Sequence, residues 1–95
     1  MTHQMNKLRS LLNAKGIDWE DMSVHDAYPI DRTHFDYRGY HWSVIHGFGS
    51  YGGWSTWRED EGLLELMSNG VNNGDPIGWL TAEEVMAYVK GEVSE

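Results

Sequence analysis

The sequence predicts an α+β domain: a small antiparallel sheet of about three or four strands with an N-terminal and a C-terminal helix packed on it. Three observations carry that expectation. Helically spaced apolar residues open the chain over residues 4–15, and an aromatic, β-branched hairpin occupies 33–45. A capping box starts a second amphipathic helix at Thr81. Ninety-five residues, 40% of them hydrophobic, make a single domain over 1–95, because two halves would each be too small to bury a core without disulfides or metals.

The first helix, QMNKLRSLLNAK, places Met5, Leu8, Leu11 and Leu12 on one face with Lys7, Arg9 and Lys15 facing away, and Gly16 stops it. Residues 17–32 mix acids with Trp19, Met22, Val24, Tyr28 and Pro29, which suits a connection holding at most one short strand. In the hairpin, Arg38 and Gly39 form the turn, so Tyr37 faces Tyr40, Asp36 faces His41 and Phe35 faces Trp42. Alternation then puts Phe35, Tyr37, Tyr40, Trp42 and Val44 on the core face and His34, Asp36, His41, Ser43 and Ile45 on the other. After His46 the glycine-rich GFGSYGGW reads as a loop. LLELM, residues 63–67, fits a third strand, and SNGVNNGDP is a turn cluster. The last helix is capped by Thr81 with Glu84 reaching back, stapled by Leu80 and Val85, and runs to about Lys90 before Gly91 ends it. It buries Val85, Met86 and Val89 with help from Tyr88.

Composition narrows the function classes. The chain lacks cysteine, so neither a disulfide framework nor a thiolate metal site is available, and its apolar runs are too short for a signal peptide or a membrane span. The expected setting is cytoplasmic. The net charge of −8 is unevenly placed: residues 1–58 balance six acids with six bases, whereas residues 59–95 carry nine acids against Lys90. Such a surface repels phosphate backbones and attracts basic partners.

Phe35 to Trp57 holds eight of the twelve aromatic residues and five of the eleven glycines, which marks it as the functional stretch. His34, Asp36 and His41 share a hairpin face and have the ligand types for zinc or iron, yet no HExxH-like spacing accompanies them. His46 opens the glycine loop, where a general base or ligand contact could sit, but no GxSxG elbow supplies a nucleophile. GFGSYGG matches neither GxGxxG nor GxxxxGK[ST], so a phosphate loop is rejected. Stacking on single-stranded nucleic acid is opposed by the acidity and by the single Arg38 within the block. Tyr51, Trp54 and Trp57 in a glycine-bearing segment instead have the make-up of interface anchors, with the acidic run Glu59, Asp60 and Glu61 directly after them.

In size, acidity and lack of cysteine, the chain resembles small accessory proteins of phages and mobile elements, among them anti-defence inhibitors such as anti-CRISPR proteins; its closing GWLTAEEVMAYV has the same cast. That resemblance implies an inhibitor of a larger, nucleic-acid-processing complex. The expected function is therefore a non-enzymatic protein-binding module that inhibits or regulates a larger partner with a basic surface. Its interaction residues are His46, Tyr51, Trp54, Trp57, Glu59, Asp60, Glu61 and Glu65, and it needs no catalytic residue, cofactor or metal, no direct nucleic acid and no membrane. The aromatics would equally serve a homodimer contact. One alternative is a small-ligand or nucleotide-derivative binder using loop 46–57, with His46, Tyr51 and Trp54 as pocket walls. The other is a small metal-dependent or hydrolytic enzyme using His34, Asp36, His41 and His46.

Overall fold

The computed structural model describes residues 3–27, 29–47, 50 and 62–93. Their order is α1 (His3–Ala14), β1 (Trp19–Asp21), β2 (Ile30–Tyr37), β3 (Tyr40–Gly47), β4 (Leu64–Ser68), a 3₁₀ turn (Asn72–Gly74), β5 (Ile77–Leu80) and α2 (Ala82–Val89). The strands form an antiparallel meander, β1-β2-β3-β4-β5, in which chain neighbours are sheet neighbours. Both helices deliver side chains to one core with a single face of that sheet: Met5, Leu8 and Leu12 from α1 and Val85, Met86 and Val89 from α2 meet Phe35, Trp42, Val44, Leu64, Leu66 and Leu80. The α+β class therefore holds, with five strands in place of three or four.

The fifth strand is β5, which sequence patterning does not reveal. Four residues preceded by Pro76 and interrupted by Gly78 carry no strand signal. Pairing with β4 makes the strand, and it does so through a bulge. Leu64 pairs with Leu80 and Leu66 with Ile77, so Gly78 and Trp79 together face Glu65. Three successive residues with positive φ, Asn72, Asn73 and Gly74, turn the chain into it.

The hairpin has the expected register, Tyr37 to Tyr40, Asp36 to His41 and Phe35 to Trp42, and runs longer than expected at its open end, to Ile30 and Gly47. Arg38 and Gly39 both have positive φ, 54° and 79°, the signature of a type I′ turn. An arginine at the first of these positions is strained. It is held by Nε donating to the Val89 carbonyl at 2.8 Å, which satisfies the C-terminal end of α2 and places a cation at its negative pole. Trp42, fully buried, stacks on Phe35 and donates from its indole nitrogen to the Tyr37 carbonyl.

Both helices end in the same motif. Ile17 N–H reaches Leu12 O and Gly16 N–H reaches Asn13 O; Glu92 N–H reaches Ala87 O and Gly91 N–H reaches Tyr88 O. Each is a Schellman cap around a glycine at positive φ, 73° at Gly16 and 79° at Gly91. The capping box of Thr81 and Glu84 is formed in both directions. A reciprocal link joins the helices where Gln4 Oε1 accepts from Ala82 N–H and Lys7 pairs with Glu83.

One charged residue departs from the expected helix face. Arg9 is only 7% exposed, not solvent-facing. Its Nε donates to the buried Thr33 hydroxyl at 2.8 Å, its Nη2 to Asp21 Oδ1 and the Arg32 carbonyl at 3.2 Å, and its guanidinium lies 4.6 Å from the Trp19 ring centroid. Arg9 thereby fastens α1 to β1 and β2. At positions 5, 8, 9 and 12 the buried stripe follows helical spacing closely, so geometry outranks residue type here.

Candidate functional site

Of the expected interaction residues, Tyr51, Trp54, Trp57, Glu59, Asp60 and Glu61 lie outside the described residues, and so does most of loop 46–57. The other two, His46 and Glu65, are built into the sheet. His46, next to the last residue of β3, is 3% exposed, and since a carbonyl only accepts, its Nδ1 carries the proton that it donates to Leu63 O at 2.9 Å. That contact joins the end of β3 to the residue before β4, so the imidazole serves as a structural donor. Glu65, 9% exposed, sits centrally on β4 opposite Ile45. At this exposure its carboxylate offers a partner little surface for direct contact.

The sheet face away from the helices presents the side chains that alternate with the core. Glu20, His34, Ser43 and Met67 form one cross-strand row, and Arg32, Ile45 and Glu65 form another. A shallow depression of about 190 Å³ lies among Arg32, His34, Ser43, Ile45, Glu65 and Met67. Toward the hairpin tip, His41 Nδ1 donates to Asp36 Oδ1 at 2.8 Å, and the rings of His34 and His41 meet edge to face with centroids 5.1 Å apart. Burial first, then the neighbouring His41 and Arg32, holds the His34 imidazole below its ordinary pKa of 6.5, against the opposing pull of Glu20. Around the end of β1 opens a larger cleft of about 470 Å³, walled by Trp19, Phe35 and Tyr37 with Lys15, Glu20 and His34 at its polar margins. His34 thus lines both hollows.

Sequence reasoning placed His34, Asp36 and His41 on one face, and the register brings them together as neighbours. Among the described residues no three His, Asp or Glu side chains converge as a metal-ligating group. What sequence reasoning missed is Trp79. This residue is 52% exposed on the edge strand β5 and has φ +57°, in the left-handed region. A bulky side chain there is a conformational outlier. The only signal in the sequence is a tryptophan between Gly78 and the cap, where a turn is the simpler reading. Comparison of the chain with protein-family models, with curated proteins and with solved structures finds no match. No helix among the described residues is long and apolar enough to cross a membrane.

Proposed function

We propose that the chain is a non-enzymatic protein-binding module, cytoplasmic, that inhibits or regulates a larger partner with a basic surface. The observation that carries this reading is Trp79. Holding a non-glycine residue in the left-handed region costs about 1–3 kcal/mol, a strain that persists where the surrounding structure imposes it and that concentrates at functional positions. Here it presents a half-exposed indole at a sheet edge, the residue type most favoured as an interface anchor. The indole stands within the acidic third of the chain, where Asp75, Glu83, Glu84 and Glu92 are exposed. Of these four, Glu83 pairs with Lys7 and Glu92 with Lys90. An aromatic anchor in an acidic stretch of chain suits a basic protein surface, and the basic grooves of nucleic-acid-processing complexes are the partner class it fits best. Tyr51, Trp54 and Trp57 extend the anchor set, and Glu59, Asp60 and Glu61 extend the attracting charge. The inhibitory role follows the compositional resemblance to phage anti-defence proteins.

The test is capture from a lysate of the native host with the untagged chain coupled to resin, followed by kinetics on the captured protein. A basic partner should bind with an association rate that falls steeply with salt. Changing Glu59, Asp60 and Glu61 together to Gln should slow association and flatten that dependence, and Trp79→Gly should raise the dissociation rate at least tenfold. Full-strength binding by both variants, or failure to capture any protein, would overturn the proposal.

A further inference from the structure

We propose that His34 and His41 form a two-imidazole site for a divalent transition ion of the zinc class, with Asp36 orienting one of the two ligands. The spacing is the first argument. A zinc–nitrogen bond of about 2.1 Å plus roughly 1.1 Å from nitrogen to ring centre puts each centroid about 3.2 Å from a shared ion; at a tetrahedral angle the two centroids are then about 5.2 Å apart. The observed separation is 5.1 Å. The rings meet edge to face, 87° apart, so His34 must turn about its side-chain bonds to bring a ring nitrogen toward the ion while Asp36 keeps His41 in place.

The second argument is the carboxylate. Asp36 Oδ1 accepts a hydrogen bond from His41 Nδ1–H at 2.8 Å, which leaves Nε2 with the lone pair in the neutral ring. Carboxylate, histidine, metal in that order is the arrangement that fixes the tautomer and raises the basicity of ligating histidines. The third argument is position. His34 and His41 are diagonal neighbours on adjacent strands, since His34 pairs with Ser43 and His41 with Asp36, so the sheet itself sets their separation. His34 borders both hollows, one on this face and one around the end of β1, which gives an ion and its waters an approach. Glu20, the register partner of His34 on β1, and Asp36 set negative charge beside the pair, opposed by the neighbouring Arg32. With two protein ligands the remaining coordination positions belong to solvent, so the site is open and exchangeable. It is independent of the protein-binding reading and reverses the expectation that the chain needs no metal.

The experiment is a calorimetric titration of zinc chloride into the untagged full chain, run beside NMR of the histidine ring resonances. One equivalent should bind, with the His34 and His41 rings shifting together and the His25 ring unmoved. His34→Gln and His41→Gln should each weaken binding at least tenfold, Asp36→Asn should weaken it by about 10–100-fold at unchanged stoichiometry, and His25→Gln should bind as the parent does. Absence of saturable binding, or parental affinity in either the His34 or the His41 variant, overturns the site. If a variant loses its fold, the ring shifts of the parent protein decide the matter alone.

Discussion

Arg9→Met tests whether the guanidinium, and not merely its aliphatic stem, fastens the first helix to the sheet. Methionine keeps an unbranched stem in a site 7% exposed and removes every donor. The bond from Nε to the fully buried Thr33 hydroxyl is charge-assisted and contributes about 1.5–3 kcal/mol. The contact with Asp21, whose side chain is 49% exposed, is screened by solvent and adds little. Lying over Trp19 adds about 0.5–1 kcal/mol. Burying the methionine returns about 1 kcal/mol, because a well-packed apolar group avoids the desolvation cost of the ion. The expected net loss is about 2–3 kcal/mol. Urea unfolding followed by tryptophan fluorescence and far-UV circular dichroism should then show a midpoint lower by about 1 M or more. Thr33→Val alone leaves Arg9 Nε without its acceptor, so the double variant should lose at least about 1 kcal/mol less than the two single losses added. Arg9→Met within about 0.5 kcal/mol of the parent, or additive single losses, would refute the reasoning.

Two glycines should resist replacement by alanine. A Cβ at Gly47 would lie 2.9 Å from the Pro29 carbonyl oxygen and 3.1 Å from Ile30 Cα, and at Gly70 it would lie 2.7 Å from Cγ and Cδ2 of Tyr40, the root of that ring. Neither set of atoms can swing aside alone, so Gly47→Ala and Gly70→Ala should each cost about 2–3 kcal/mol in urea unfolding; a loss below about 0.5 kcal/mol at either would be a failure. Stability should also depend on pH in two windows. Hydrogen bonds from Ser23, chiefly its hydroxyl and then its N–H, with Arg9 behind them, hold the Asp21 carboxyl down from 3.8 to about 2. A depressed carboxyl stabilises fully above 3.8, and the contribution disappears as pH falls to about 2, so Asp21→Asn should flatten that limb of the midpoint-versus-pH curve. His34 is depressed below 6.5 by burial and by His41 and Arg32, so the unfolded chain takes up its proton first. Its contribution is complete above 6.5 and declines as pH falls through that value, and His34→Gln should remove the step.

The parts of the fold legible in the sequence are those where one local rule dominates. Thr81 and Glu84 announce a helix start through chemistry complete within four residues, and the capping box forms. Arg38 and Gly39 announce a turn, and with a two-residue turn the whole register of the hairpin follows, including the meeting of Asp36 with His41. The illegible parts are set by partners distant in sequence. β5 exists because β4 offers it a hydrogen-bonding edge, and Arg9 is buried because Thr33, 24 residues away, supplies an acceptor. For the site, alternation sufficed to gather His34, Asp36 and His41, but the burial of His46 and Glu65 depended on Leu63 and on the centre of β4, which periodicity does not weigh. The left-handed backbone of Trp79 follows from the bulge, and a bulge is a relation between two strands that neither strand encodes alone.

The two proposed activities fall on different parts of one sheet, and that separation makes them testable apart. The helix-covered face is occupied by the core, so recognition is left to the opposite face and the edges. His34 and His41 lie on β2 and β3 and Trp79 on β5, so two to three strand spacings, about 10–14 Å, separate the histidine pair from the indole. Side chains that far apart, with no shared partner among their described contacts, should act additively. A chain with Trp79→Gly should therefore bind zinc as the parent does. Conversely, His34→Gln should retain full capture of a protein partner unless the ion itself forms part of the docking surface. In that case zinc would strengthen partner binding in the parent and leave the His34 variant unmoved, and the ratio of the two affinities would measure the coupling between the sites directly.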